Sequence, residues 1–161
     1  MILPLPPHPD PRLRKVSKEL DLKKLKAGGY DAFFVDLKET MIAANGIGIA
    51  AVQVGEHLRV FWVETDGYKG IFINPTIISM SKETEDGEEG CLSVPGKWGM
   101  VTRAQRLKIE ALNAQGVPFT VKASGLFAKV IQHETDHLNG KLFTDRAADV
   151  YDRAPGHKPK R

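Results

Sequence analysis

The densest chemistry in this chain sits in five consecutive residues, His133-Glu134-Thr135-Asp136-His137. On a helix, positions four apart lie on one face with their Cβ atoms about 5–6 Å apart. Two imidazoles at that spacing can converge on one metal ion, and Glu134, beside the first, is placed to handle a proton from metal-bound water. Val130 and Leu126 fall one and two turns earlier on the same face. That face is therefore read as pointing inward, and buried imidazoles need polar partners, which a metal ion supplies.

Two helical histidines leave a third ligand to find. In the usual zinc-peptidase pattern it is a later Glu or His. Here no Glu follows Glu134, and the only histidine after His137 is His157, close to the last residue. The remaining candidate is Cys91, the single cysteine, in Glu88-Glu-Gly-Cys-Leu-Ser-Val-Pro95. Alone it would read as a small buried hydrophobe. Beside a two-histidine site short of a ligand it reads as a thiolate donor for Zn²⁺ or Fe²⁺. Gly90 lets the backbone approach closely, and Pro95 is expected to end the local run.

The third segment is Gly46-Ile-Gly-Ile-Ala-Ala-Val-Gln-Val-Gly55. Its Gly46-x-Gly48-x-x-Ala51 outline matches a dinucleotide-binding fingerprint, but that fingerprint follows a strand and opens a helix. Here a helical stripe comes before and strand-like residues come after. The segment reads instead as backbone that a ligand can approach, with the Gln53 amide as donor and acceptor.

Taken in order, Gly-Ile-Gly-Ile-Ala-Ala-Val-Gln53, Glu89-Gly-Cys-Leu-Ser93 and Gln132-His-Glu-Thr-Asp-His-Leu138 resemble the three signature motifs of the peptide deformylases. Pro9-Asp-Pro-Arg-Leu-Arg14 resembles the N-terminal segment of that family, and the likeness runs from about residue 3 to Asp145. The resemblance implies an α+β fold, with the motif helix packed among antiparallel sheets. It implies that Cys91, His133 and His137 hold one divalent metal ion, Fe²⁺ in the cell with Zn²⁺, Ni²⁺ or Co²⁺ substituting. Glu134 would be the general acid and base, and the N–H of Leu92 and the amide of Gln53 would hold the oxyanion. Gly48 would meet the substrate backbone, while Ile47, Glu89, Gly90, Leu126 and Val130 would shape a methionine pocket. The implied reaction removes the formyl group from N-formylmethionyl ends of nascent chains: metal-bound water attacks the formyl carbon and formate leaves. Around the metal, Arg103 is expected to pair with Asp136 or Glu89 and steady the Cys91 loop.

Two positions depart from the pattern. Where some members carry a basic residue after the cysteine motif, this chain has Trp98. Where some have a long C-terminal helix for docking on the ribosome, residues 145–161 contain Pro155-Gly156 and Pro159 and read as a tail, partly helical or disordered. Two other readings stay open from the residues alone: a zinc endopeptidase on the same helix, and a non-catalytic module whose metal sphere is closed by a fourth protein ligand.

Several elements must position these groups. Arg12 to Ala27 carries Leu13, Val16 and Leu20 at helical spacing and stops at Gly28-Gly29. Asp31 is the expected N-cap of a second helix whose stripe is Phe34, Leu37, Met41 and Ala44, ended by Asn45-Gly46. Leu58–Glu64 and Gly70–Ile78 read as strands. Leu107–Ala111 and Val117–Val121 alternate around Asn113–Gly116, predicting a hairpin. Ser124 is placed to cap a helix through Leu138, with Gly140 ending it. Helices, then strands, then one late helix predict α+β rather than alternating βαβ units.

At 161 residues, 42% hydrophobic and 27% charged, the chain has the profile of one soluble globular domain, residues 1–161. Its apolar runs fall far short of the roughly 20 residues that span a bilayer. A lone cysteine excludes an intramolecular disulfide. The net charge of +3 is too weak a field for sequence-specific nucleic-acid binding, although Arg12–Lys26 is locally basic and Glu83–Glu89 acidic. That basic surface is the candidate for transient ribosome contact. The proline-rich opening is no secretory signal, so a cytoplasmic setting is expected, or an organelle if a targeting segment has been removed.

Overall fold

The computed structural model describes residues 1–153. In chain order the elements are α1 (Leu22–Lys26), α2 (Asp31–Ala43), β1 (Gly48–Ala50), β2 (Val60–Thr65), β3 (Tyr68–Met80), β4 (Thr84–Cys91), β5 (Val94–Ala104), β6 (Arg106–Leu112), β7 (Pro118–Ser124), α3 (Gly125–Leu138) and β8 (Val150–Asp152). Short 3₁₀ turns lie at Pro11–Arg14, Ala51–Val54 and Phe143–Asp145. The strands form a five-stranded sheet in the order β1-β2-β3-β6-β7 and a three-stranded sheet in the order β4-β5-β8. All pairings within the sheets are antiparallel. The fold is α+β, as the element order predicts.

Side chains of a strand alternate between faces, so the five-stranded sheet can be covered on both. Phe61, Val63, Phe72 and Ile109 face α3 and pack with its Ala128, Ile131 and Leu138. Their neighbours Val60, Ile71 and Ile73 face the other way, onto Phe34, Leu37 and Met41 of α2. A third cluster, Leu13, Val94, Val101, Leu142 and Phe143, ties the three-stranded sheet to the segments before α1 and after α3. Burying each of these large side chains contributes about 1.5–3 kcal/mol, which holds α3 between the two sheets against the cost of ordering the chain.

Several expectations meet their outcome here. The β6–β7 hairpin forms with Leu107 opposite Ala123 and Ile109 opposite Val121. Asn45, with φ of 57°, ends the second helix, but Asp31 is its first residue and Tyr30 its cap. Arg12–Ala27 is not one helix. Its middle is extended because its backbone bonds elsewhere: Ser17 N–H donates to Leu138, Lys18 N–H to His57, and Lys18 accepts from Arg59 N–H. Leu13 and Leu20 are buried, while Val16 is exposed. Pro95 does not end the cysteine segment but lies inside β5, after the two-residue turn Leu92-Ser93 closed by the Cys91–Val94 pair. Part of the expected tail is a strand: Trp98 pairs with Tyr151, and Tyr151 and Arg153 both donate to Glu88. Pro155-Gly156, His157 and Pro159 lie outside the described residues. Among the described residues no helix is long and apolar enough to cross a membrane.

Candidate metal centre

α3 and the β4–β5 hairpin meet at one point. The hairpin places Cys91 at the end of β4, and α3 brings His133 and His137 to it on a buried face. The candidate ligand atoms of these three residues all lie within 4.8 Å of one another. Cys91 Sγ is 3.3 Å from His137 Nε2, and the two imidazole centroids are 5.0 Å apart at 70°. Bonds of about 2.0–2.3 Å around a tetrahedral ion put neighbouring ligands about 3.3–3.6 Å apart, so the cluster suits a divalent metal. Two buried atoms of the site, His137 Nδ1 and Glu134 Oε2, have no hydrogen-bond partner among the described residues. Such atoms are rare in a folded interior and point to a ligand or water.

The surrounding groups orient this cluster. Glu89 Oε1 lies 2.8 Å from His133 Nδ1, which fixes the ring so that Nε2 is the nitrogen left for a metal. Arg103 is buried and spans two carboxylates: Nε and Nη2 reach Glu89 at 2.9 Å each, and Nη1 reaches Asp136 Oδ2 at 2.7 Å. Arg103 thus joins both of its expected partners, one from each ligand-bearing element. Burial opposes ionisation of Glu89, but hydrogen bonds from Arg103 and His133 outweigh it and hold the carboxyl down to about 2. Burial dominates at Glu134, outweighing the nearby charges of His133 and Arg103, and the carboxyl is pushed up to about 7. Burial and the nearby charges of His133 and Arg103 keep His137 well below the usual histidine range, in the neutral form that ligates metal.

Gln53, in the 3₁₀ turn after β1, is buried behind the sulfur. Its Oε1 accepts from Ala50 N–H at 2.9 Å, and its Nε2 lies 3.0 Å from Ser93 Oγ and 3.6 Å from Cys91 Sγ. Gly48, in edge strand β1, faces α3 so closely that a Cβ there would sit 2.6 Å from Glu134 Oε1 and 2.9 Å from Val130 Cγ1. The absence of a side chain is what lets Glu134 stand against the strand. Ile47 and Leu126 are half-buried against the same cluster as Val130. Leu92 lies over Gly46, and the Trp98 ring lies over Gly90.

One expected pocket residue is placed otherwise. The Glu89 carboxylate faces inward onto His133 and Arg103 rather than outward toward a substrate side chain, because the His133 Nδ1–H and the Arg103 guanidinium hold it there. Three residues went unassigned in the sequence. Ser93 sits inside the quoted motif and is fully buried. Phe143 stacks on His133 with centroids 6.3 Å apart. Arg146 reaches Asp136 from beyond α3. Spacing carries no signal for the last two.

An α+β fold that gathers one cysteine sulfur, two imidazoles and a buried glutamate defines a metallohydrolase type of centre. Comparison with known proteins narrows this: residues 2–153 match the family model for polypeptide deformylase. A peptide deformylase of Acinetobacter baumannii (strain SDF) is 44% identical over 152 residues, covering 89% of this chain and 82% of that one. The crystal structure of a Synechococcus elongatus peptide deformylase in complex with actinonin superposes with a TM-score of 0.85 at 34% identity, over 91% of this chain and 79% of that one. A class I type b peptide deformylase from A. baumannii, bound to Met-Ala-Ser, gives 0.86 at 34% identity, over 91% and 98%. The chain belongs to the polypeptide deformylase family, hydrolases that remove N-formyl groups.

Proposed function

We propose that this protein removes the formyl group from N-formylmethionyl peptides, releasing formate and a free amine. The observation that carries the reading is the convergence of Cys91, His133 and His137 beside Glu134, a buried carboxylate with an oxygen unpartnered among the described residues. Family membership supports it, as does the Met-Ala-Ser peptide bound to the A. baumannii relative.

Cys91, His133 and His137 would hold a divalent ion, Fe²⁺ in the cell with Zn²⁺, Ni²⁺ or Co²⁺ as substitutes; when bound it supplies Lewis acidity at the formyl group. Glu134 takes a proton from the attacking water and delivers it to the departing amine, a shuttle suited to a carboxyl that titrates at about 7. The N–H of Leu92 and the Nε2 of Gln53 donate to the formyl oxygen as it gains charge, each contributing about 3–4 kcal/mol in the transition state. Gly48, in an edge strand, leaves backbone groups for an extended peptide to pair with. Ile47, Gly90, Leu126 and Val130 wall the methionine side chain. Residues 1–161 act as one catalytic domain in the cytoplasm, meeting nascent chains through transient ribosome contact at the basic Arg12–Lys26 surface.

Formate release from a formyl-Met tripeptide, measured anaerobically with Fe²⁺, tests the reading. Glu134→Ala should lose at least about 100-fold in rate at unchanged metal content. Equal rates for the two proteins would end it.

A further inference from the structure

The turn that follows α3 touches the centre twice. Phe143, buried in the 3₁₀ turn Phe143–Asp145, lies almost parallel to the His133 ring, at 19°. The next residue after that turn, Arg146, caps Asp136 from the solvent side: Nε donates to Oδ2 at 2.6 Å and Nη2 to Oδ1 at 2.9 Å. Asp136 is buried and immediately precedes His137 in α3.

The geometry leaves Arg146 a role that Arg103 cannot fill. Arg103 uses Nε and Nη2 on Glu89 and has only Nη1 for Asp136, at Oδ2. The other Asp136 oxygen, Oδ1, receives its side-chain hydrogen bond from Arg146. Without that fork, a buried carboxylate oxygen loses its donor, and Arg103 is drawn toward Asp136 at the expense of Glu89. Glu89 in turn is the group that fixes His133. Arg146, Asp136, Arg103, Glu89 and His133 therefore form one unbroken line of charge-assisted hydrogen bonds from the surface to a candidate metal ligand.

We propose that Arg146 is a positioning residue, which acts through Asp136, Arg103 and Glu89 to hold His133 and the Cys91 hairpin in ligating geometry and so slows metal loss. The inference rests on the metal centre proposed above. Arg146 is itself about half-exposed, with 43% of its side chain accessible. Asp136 is buried, however, so losing the pair should also lower the stability of the metal-free fold, and the proposed effect is metal loss beyond that share.

The test compares the full-length wild-type protein with Arg146→Ala and Arg146→Lys, each loaded with Zn²⁺ and mixed with a chromogenic chelator. Zn²⁺ release should be at least about tenfold faster in Arg146→Ala, the lower end of what losing such an outer partner does to a metal site. Arg146→Lys keeps the charge but not the two-pronged contact, and should release metal at an intermediate rate. The metal-free midpoint of Arg146→Ala should fall by no more than about 10 °C, the shift expected when one buried carboxylate loses a donor. Unchanged release in Arg146→Ala, or release that rises only as far as metal-free stability falls, would overturn the proposal. Co²⁺ substitution separates this failure from that of the centre itself. A thiolate-to-cobalt absorption present in the wild type and lost in Cys91→Ser upholds the centre; its absence in the wild type removes the centre and this inference together.

Discussion

Glu89 Oε1 lies 2.8 Å from His133 Nδ1, and Glu89 stands two residues before Cys91 on the strand that ends at the sulfur. One carboxylate thus fixes both the approach of the hairpin and the ring orientation of a histidine from α3. Replacing it by the uncharged amide, Glu89→Gln, keeps the shape but strips Arg103 of one of its two buried partners. Breaking such a pair costs about 3–5 kcal/mol, and metal affinity should fall about 10–100-fold. Chemical unfolding of the metal-free form and competition for Zn²⁺ measure the two effects separately.

Gly48→Ala should damage activity more than stability. The added methyl would meet Glu134 Oε1 at 2.6 Å and Val130 Cγ1 at 2.9 Å. Overpacking of this kind costs about 1–3 kcal/mol, while displacement of the Glu134 carboxylate should lower kcat/KM by about 100-fold. A variant that unfolds at a lower temperature yet keeps full formate release per folded molecule would contradict the placement.

Ser93→Ala removes the oxygen that lies 3.0 Å from Gln53 Nε2. The amide then loses one of the contacts that fix its orientation beside Cys91. The expected result is a kcat/KM about tenfold lower, consistent with one misplaced transition-state donor, at unchanged metal content. A drop in bound metal instead would show that the Ser93 hydroxyl steadies the Cys91 turn rather than the Gln53 amide.

Acid stability carries a further test away from the centre. Hydrogen bonds from the Arg12 side chain and backbone lower the Asp10 carboxyl to about 2 from its ordinary 3.8. Because the folded value is the lower one, the contribution is present above about pH 4 and is lost as pH falls toward about 2. Asp10→Asn should therefore unfold at a slightly lower temperature than the wild type at about pH 6, and the difference should be mostly lost by about pH 2 and vanish below it. A gap that persists there would show that the contact does not depend on the carboxylate charge.

The strands that alternate cleanly were legible because one face is buried: in β6, Leu107, Ile109 and Ala111 alternate with Lys108 and Glu110. The strands β4 and β5 were not. Thr84–Cys91 is acidic and glycine-bearing, and it is extended because β5 pairs with it residue by residue from Ala104 to Trp98, and again at Val94 after a register shift. Arg12–Ala27 misled for the same reason in reverse. Leu13 and Leu20 are buried at helical spacing, but the backbone between them is held by Leu138, His57 and Arg59 rather than by itself.

By itself the sequence determined which groups could do chemistry, because the four-residue spacing of His133 and His137 and the bare backbone at Gly48 are local properties that survive any packing. Only the tertiary structure decided that Cys91 Sγ comes within 3.3 Å of a ring nitrogen 46 positions away, and that Glu89 turns onto His133. It also decided that Asp136 takes a guanidinium on each side, from Arg103 and Arg146. Those contacts depend on how two sheets close around one helix, and the free energy that selects them comes from side chains far apart in the chain.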